Sequence, residues 1–205
     1  MGRHPTLIHL PDELRSKRLV LRPYRAEDAE AHFTAVDESR DHLRPWVAWV
    51  DTFASIDDAR DYYLRCAANW LLRTDLTLGI FEAESGRYLG GAGFHELDWD
   101  LRAFEIGYWI RTTASGHGYV SEAVRLLVAL AFGHLDARRL ELRCDPRNEP
   151  SRRVAERVGF VLEGRLRHNS LASDGQPADT LVFALLPQEA AMLLPAWGHD
   201  TAGNR

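Results

Sequence analysis

Two glycines one residue apart, Gly116 and Gly118, lie between a strand-like segment and a helix-like segment. Apolar residues alternate from Phe104 to Ile110, which is the period of a β-strand. After the glycines, an apolar stripe at helical spacing runs to Leu135. A glycine turn in this position can direct several backbone N–H groups at one point, beside the positive end of the helix dipole. Such a turn binds anions, and a pyrophosphate is its natural ligand because glycine lets phosphate approach the backbone.

The residues around these glycines exclude two common phosphate-binding motifs. No Gly-Lys-Ser or Gly-Lys-Thr follows them, so the segment is not a Walker loop. The third glycine of a dinucleotide fingerprint is absent, and no acidic residue ends the next strand. Taken alone, the Gly-x-Gly pair fits a plain strand-to-helix turn equally well.

A second motif follows the strand predicted at Leu140–Cys144. A polar loop leads to Asn148 and then to a short helix predicted from about Pro150 to Val158, with Ser151 at its start. Gly159 suits the position that closes a helix, and it is followed by another predicted strand. Asn148 also has the residue type of a helix N-cap, so a structural role and a binding role are both open for it.

The order of strand, Gly-x-Gly helix, strand, Asn-x-x-Ser helix and Gly-Phe strand resembles the GNAT superfamily of acetyltransferases. The runs Leu19–Pro23 and Ile106–Ile110 resemble one branch of it, the RimJ/RimL-type N-terminal acetyltransferases of ribosomal-protein alanine and serine. The resemblance extends from about Arg18 to Leu186. Its motifs are specific for the superfamily and much less so for the substrate.

The resemblance implies acetyl-CoA as the cosubstrate and no metal ion. In GNAT proteins the strand before the glycine turn pairs its backbone with the pantetheine arm, and Asn148 matches an asparagine that contacts pantetheine. The family usually has Gln or Arg where Thr113 stands, but backbone amides do most of the phosphate binding there. The residues implied for pantetheine and for the pyrophosphate loop are Trp109, Ile110, Arg111, Thr113, Ala114, Ser115, Gly116, His117, Gly118 and Tyr119.

Aminolysis of a thioester requires a neutral amine, a stabilised oxyanion and a protonated thiolate. An α-amine has a pKa of about 8 and lysine one of about 10.4, so an N-terminal substrate needs only a modest base. Glu105 is our candidate, because on a period-2 strand it shares a face with Gly107 and Trp109, close enough to the thioester for a water relay. A solvated or salt-bridged carboxylate is the alternative. Glu141 is a weaker rival, since neighbouring arginines could simply pair with it.

Ser151 is the candidate acid or oxyanion donor, because the family places a hydroxyl near the thioester sulfur at this point of the chain. An ordinary role at the start of the helix is equally open for Ser151. His117 and His95 are expected at the surface, although His95 could line the substrate groove. Trp46, Trp49 and Trp99 could form a wall of the acceptor cleft or belong to the core.

The pattern of elements predicts one α/β (α+β) domain over residues 1–205, with a core at about 18–186. A mixed sheet of about six to seven strands, splayed at the cofactor site, would be flanked by about four helices. The segments 1–16 and 195–205 are expected to be peripheral, with a frayed tail from Pro195.

Composition narrows the class of protein. The chain has 205 residues, 45% of them hydrophobic, and a net charge of −5, which disfavours a nucleic-acid binder. Two distant cysteines, Cys66 and Cys144, form no disulfide framework and no metal motif. No apolar run is long enough for a membrane span, and the start of the chain has no apolar signal core. We therefore expect a cytoplasmic protein without nucleic-acid or membrane partners.

Three hypotheses for function remain open from the sequence. The first is acetylation of the N-terminal amine of a protein or peptide such as a ribosomal protein. The second is acetylation of a small molecule, namely an antibiotic, an amino acid or a polyamine. The third is a non-catalytic acetyl-CoA sensor, which would need neither Glu105 nor Ser151. The loops at 43–53 and 98–102 are expected to select the acceptor, and a homodimer is left open.

Overall fold

A mixed sheet of eight strands forms the centre of the protein in the computed structural model, which describes residues 4–197. The strands are β1 (Leu14–Arg15), β2 (Leu19–Arg22), β3 (Leu76–Glu82), β4 (Tyr88–Asp98), β5 (Ala103–Ile110), β6 (Arg139–Cys144), β7 (Val161–Leu171) and β8 (Pro177–Leu185). Their order across the sheet is β1-β2-β3-β4-β5-β6-β8-β7. The β5–β6 pair is parallel, and the other neighbouring pairs are antiparallel.

Helices cover the sheet, and local sequence signals set several of their ends. The helices are α1 (Ala29–Asp37), α2 (Arg40–Leu43), α3 (Ile56–Leu72), α4 (Tyr119–Gly133), α5 (Glu149–Val158) and α6 (Pro187–Leu193). The Ser55 hydroxyl caps α3 by accepting a hydrogen bond from the N–H of Asp58. Gly159 ends α5 in the left-handed conformation, with φ at 99°, as predicted.

Hydrophobic side chains form cores on both faces of the sheet. The core under α4 contains Phe104 and Ile106 of β5, both almost fully buried. The second core is built mainly from α1 and α3, and Trp109 of β5 packs against it. Because side chains alternate along a strand, the residues on the face of Trp109, which include Glu105, point away from α4.

The sheet splays between β5 and β6. The parallel ladder joins Ala103 to Arg139 and ends at the pair Glu105–Glu141. Beyond that point β5 stays paired with β4 as far as Ile110, and β6 stays paired with β8 as far as Cys144. The edge of β5 that faces β6 is therefore open over its second half, where an extended ligand can pair with it. The predicted splayed α/β sheet is confirmed.

The numbers of strands and helices were predicted too low. The additional strand is the two-residue β1, and α2 and α6 are the unpredicted helices, all too short to show a hydrophobic period. The helix that carries the apolar stripe after the glycines begins at Tyr119, because Gly116 and Gly118 adopt φ values of 80° and 79° that a right-handed helix excludes.

The chain ends contribute more structure than expected within the described range. Leu10, in the segment predicted to be peripheral, is only 6% exposed and belongs to the α4 core. The predicted frayed tail instead forms a 3₁₀ turn at Leu194–Trp197, with the Arg125 guanidinium 5.5 Å from the centre of the Trp197 ring. The rest of that tail, residues 198–205, lies outside the described residues. No helix in the part of the chain that the structure describes is long and apolar enough to cross a membrane.

Candidate active site

The gap between β5 and β6 opens into a groove of about 1270 Å³. Most of the residues predicted from the sequence line it, namely Glu105, Trp109, Ile110, Ala114, Ser115, Gly116, Gly118, Tyr119, Asn148 and Ser151. Arg111, Thr113 and His117 do not line it. The two motifs, which lie about 30 residues apart in the sequence, therefore meet at one cavity.

The Gly-x-Gly turn has the geometry of an anion site. A 3₁₀ turn at Thr112–Ala114 leads into Gly116 and Gly118, and both glycines lie in the left-handed region before α4 begins. A Cβ atom on Gly116 would meet nothing within 4 Å, so these glycines are required by the backbone conformation rather than by crowding. The Ser121 hydroxyl, in the first turn of α4, is buried without a hydrogen-bond partner and lines the groove. A pyrophosphate oxygen fits both features.

Three predicted loop residues instead hold the loop in place. The guanidinium of Arg111 forms two hydrogen bonds of 2.7 and 2.6 Å to the Glu38 carboxylate, which the Thr113 hydroxyl also contacts at 3.3 Å. These contacts attach the end of β5 to the end of α1. Nδ1 of His117 bonds to the Ser115 carbonyl at 2.9 Å, and its ring stacks on Tyr119. Contacts of Arg111, Thr113 and His117 with the cofactor therefore stay a prediction for their backbone atoms alone.

Glu105 is not a freely solvated carboxylate. Its side chain is 28% exposed. Burial raises the pKa of the Glu105 carboxyl, and the Arg143 guanidinium, 3.4 Å away, offsets only part of that effect. Arg143 is bonded more closely to Glu141, at 2.9 Å, and Arg139 bonds to Glu141 at 2.8 Å. Glu141 is thus held by two arginines, whereas Glu105 has only the longer contact to Arg143 and a pKa that burial raises, which suits a general base.

Ser151 is joined to a tyrosine that sequence reasoning missed. Its Oγ lies 2.8 Å from the hydroxyl oxygen of Tyr108, on the α4 side of β5. Burial raises the pKa of Tyr108 and keeps it protonated. The side chain of Asn148 accepts a hydrogen bond of 3.1 Å from the Ser151 N–H, so Asn148 does cap α5. Both hydroxyl-bearing residues line the groove.

A family model described as the acetyltransferase (GNAT) domain matches residues 18–161, which include both motifs and the splay. The chain belongs to the GNAT acetyltransferase family. This GNAT protein is an acetyl-CoA-dependent N-acetyltransferase.

Individual relatives agree with this assignment. A Bacillus subtilis protein named as a candidate ribosomal N-acetyltransferase, YdaF, is 30% identical over 85% of this chain and 94% of its own length. The ribosomal-protein-serine acetyltransferase of Escherichia coli is 31% identical over 42% of this chain and 48% of its own length. The structure of RimL, a ribosomal α-N-protein acetyltransferase in complex with coenzyme A, superposes with a TM-score of 0.78. It is 23% identical and covers 83% of this chain and 95% of RimL, so the likeness shows the fold.

The acceptor side of this GNAT acetyltransferase contains a histidine–carboxylate pair. Nδ1 of His95 lies 2.5 Å from a carboxylate oxygen of Asp75, and both residues line the groove. His95 lines the groove, as the sequence left open, and its side chain is also 40% exposed. Asp75 precedes β3 and His95 lies on β4, 20 residues apart, so no local motif in the sequence marked the pair.

Aromatic rings form another wall of the groove. Trp46, Trp49 and Trp109 line it together with His32, whose ring centre lies 5.5 Å from that of Trp109. Burial lowers the pKa of His32 to about 4, so its imidazole is neutral near pH 7. Trp99 does not belong to this wall. It packs on Phe104 in the α4 core and donates a hydrogen bond to the Arg73 carbonyl.

Of the two loops expected to select the acceptor, one reaches the groove. Residues 43–53 contribute several lining side chains, whereas residues 98–102 contribute none to it. Among residues 4–197, no group of three or more His, Cys, Asp or Glu side chains is arranged to hold a metal ion.

Proposed function

We propose that this acetyltransferase modifies the N-terminal α-amine of a protein or peptide, such as a ribosomal protein. The observation that carries the proposal is the half-buried Glu105 beside a groove that continues past the coenzyme site to the loop at 43–53. A polypeptide end can lie in such a cleft with its amine near Glu105. The printed names of YdaF, of the E. coli relative and of RimL point to the same class of acceptor.

In this proposal acetyl-CoA binds along the free edge of β5. The backbone of Trp109, Ile110 and Arg111 would pair with pantetheine, Asn148 would contact it, and the turn from Thr113 to Tyr119 would hold the pyrophosphate. Glu105 would take a proton from the incoming amine through a water molecule. Since an α-amine has a pKa of about 8, a carboxylate with a moderately raised pKa is a sufficient base.

Ser151 would act at the other side of the reacting carbon. Its hydroxyl, bonded to that of Tyr108, would donate to the oxyanion or to the departing sulfur. We predict that Ser151→Ala lowers kcat by about 10²-fold with little change in acetyl-CoA affinity. The α5 cap should survive, because Asn148 bonds to the backbone N–H of Ser151, which alanine retains. Stopped-flow or steady-state assays of thiol release measure this loss.

Tyr108→Phe is the matched comparison for Ser151→Ala. It removes the partner hydroxyl and leaves the ring and Ser151 in place. A smaller loss in Tyr108→Phe is expected if Ser151 is the donor. If Ser151→Ala keeps the wild-type kcat and Tyr108→Phe loses much of it, Tyr108 rather than Ser151 is the donor to the oxyanion or the sulfur.

The proposed acceptor is tested with a panel of peptides that differ in their first residue, free lysine, polyamines, amino acids and aminoglycosides. We expect peptides with a free N-terminus to have the highest kcat/KM, and the same peptides with a blocked N-terminus to be inert. A higher kcat/KM for a small amine than for the peptides would favour the hypothesis of a small-molecule acceptor over that of a peptide acceptor. Acetyl-CoA binding without turnover on any amine would instead favour a sensor.

We further propose that the protein is cytoplasmic and that it can form a homodimer. Subcellular fractionation and sedimentation of the full chain test them.

A further inference from the structure

His95 lies directly over Gly107 of β5, in the groove that is proposed to receive the acceptor. A Cβ atom built on Gly107 would lie 2.7 Å from Cδ2 and 2.9 Å from Nε2 of the His95 ring. Gly107 therefore leaves the space that the imidazole occupies. It stands between Glu105 and Trp109 on the same face of the strand, and along β5 it is two residues closer than Glu105 to the segment 109–111 that is proposed to bind pantetheine.

Asp75 determines which nitrogen of His95 is free. Nδ1 donates its proton to the Asp75 carboxylate, at 2.5 Å, so the neutral ring carries its lone pair on Nε2. Nε2 is the atom that lies over Gly107. A histidine held by a carboxylate at one nitrogen and open at the other has the arrangement of a general base.

The charged groups around His95 are mainly acidic. Asp75, Glu96 and the cross-strand neighbour Glu105 face it, and Arg65 of α3 lines the same groove. Burial lowers the pKa of His95, but the hydrogen bond and charge of Asp75, with the charges of Glu105 and Glu96, outweigh burial and raise the pKa above its usual value.

The acceptor nitrogen gives up two protons on its way from an ammonium ion to an amide. An acceptor that arrives as an ammonium ion loses one proton before it can attack and a second as the carbon–nitrogen bond forms. When the carbon–sulfur bond breaks, the sulfur gains one proton, so the net reaction releases one proton to solvent. Glu105 can accept only one of the two protons in each turnover until it passes that proton on.

We propose that His95, held by Asp75, accepts the second proton, which leaves the nitrogen as the carbon–nitrogen bond forms. The N–H bond breaks, the Nε2–H bond forms, and the ring then returns the proton to solvent, to which the His95 side chain is 40% exposed. This inference rests on the proposed role of Glu105 for the first proton. It holds for any amine acceptor, whether a peptide or a small molecule.

Two bases with these roles give opposite pH trends, which the experiment measures. At low pH the His95 ring is already protonated and contributes little, so His95→Gln should cost less than about threefold in kcat at pH 6. As pH rises past the raised pKa of His95 the ring becomes neutral, and the loss in His95→Gln should grow toward about 10²-fold at pH 9. The loss in Glu105→Gln should instead shrink as pH rises, because the amine then arrives neutral.

Chemical rescue keeps the test independent of folding effects. His95→Ala leaves a space over Gly107, and added imidazole should restore part of the lost rate, more at pH 9 than at pH 6. Acetyl-CoA affinity should be unchanged in both His95 variants. His134→Gln, at an exposed histidine after α4, is the control and should keep wild-type rates at every pH.

The inference would be overturned if the loss of kcat in His95→Gln did not change with pH or became smaller as pH rises, as expected for Glu105→Gln. The absence of rescue by imidazole in His95→Ala would overturn it as well. The outcome also separates the two proposals. Transfer to small amines with opposing pH trends would refute the peptide acceptor and support His95. No transfer to any amine would overturn both.

Discussion

Gly118→Asp is expected to weaken acetyl-CoA binding at least about 100-fold, which corresponds to about 2.8 kcal/mol. Gly118 lies at the entrance to α4 with φ at 79°, and a Cβ atom there would meet only Arg18, at 3.7 Å. The fold therefore has room for the new side chain. Its carboxylate, however, would occupy the position of a pyrophosphate oxygen and place a negative charge where the turn binds an anion. Isothermal titration calorimetry measures the loss.

Two matched variants separate the charge from the backbone conformation. Gly175 lies in the β7–β8 hairpin with φ at 77° and nothing near its Cβ position, so Gly175→Asp carries the same backbone strain away from the groove. It should reduce stability as Gly118→Asp does and leave acetyl-CoA affinity unchanged. Gly118→Ala adds strain and a methyl group without charge, and it should weaken binding less than Gly118→Asp.

Thermal unfolding provides a second readout of the same substitution. Acetyl-CoA at ~100 times its Kd should stabilise the wild-type protein by about 2.7 kcal/mol, and this stabilisation should vanish in Gly118→Asp. Unchanged calorimetric affinity in the variant would mean that the phosphate-binding loop lies elsewhere in the molecule.

Glu105→Gln is expected to slow turnover by up to about 10²-fold at pH 7, with little change in acetyl-CoA affinity. At that pH only about a tenth of an N-terminal amine is neutral, so the reaction depends on a base. By pH 9 most of that amine is neutral and the loss should become small. A lysine or another amine of high pKa would depend on Glu105 up to higher pH, so one series of kcat measurements from pH 6 to 9 tests both the residue and the acceptor.

Glu141→Gln is the control for the charge that Glu105→Gln removes. Glu141 stands opposite Glu105 in the β5–β6 ladder and shares Arg143 with it. Glu141→Gln should keep kcat at pH 7 close to wild type, because Glu105 is retained. It should move the pH profile of turnover to lower pH, because the Glu141 charge that helps to raise the pKa of Glu105 is gone and Arg143 is released. Wild-type rates in Glu105→Gln throughout this pH range would remove Glu105 from the mechanism.

Local signals in the sequence predicted the elements that carry the site. The alternation around Ile106 marked β5, Gly159 marked the end of α5, and the Gly-x-Gly pair marked the turn before α4. Each of these signals acts through neighbouring residues. A period of two places side chains on opposite faces of a strand, and a positive φ favours glycine wherever it occurs.

Pairings between distant residues were not predictable in this way. Tyr108 looked like one more apolar residue of β5, yet its hydroxyl meets Ser151, 43 residues later. Trp99 looked like a candidate for the acceptor cleft, but it packs into the α4 core against Phe104. In both cases the packing of helices on the sheet decides which partner the side chain reaches, and hydrophobicity alone does not encode that choice.

The sequence by itself determined the family, the splayed α/β sheet and the acetyl-CoA chemistry, because these depend on motifs whose residues are close together in the chain. Only the tertiary structure decided which polar groups lie together in the groove. It distinguished Glu105, half-buried with a raised pKa and one longer contact to Arg143, from Glu141, which Arg139 and Arg143 both bind closely. It also brought Asp75 to His95 and left the space over Gly107 that the imidazole fills. Burial and cross-strand register control these properties, and both exist only once β3, β4 and β5 lie side by side.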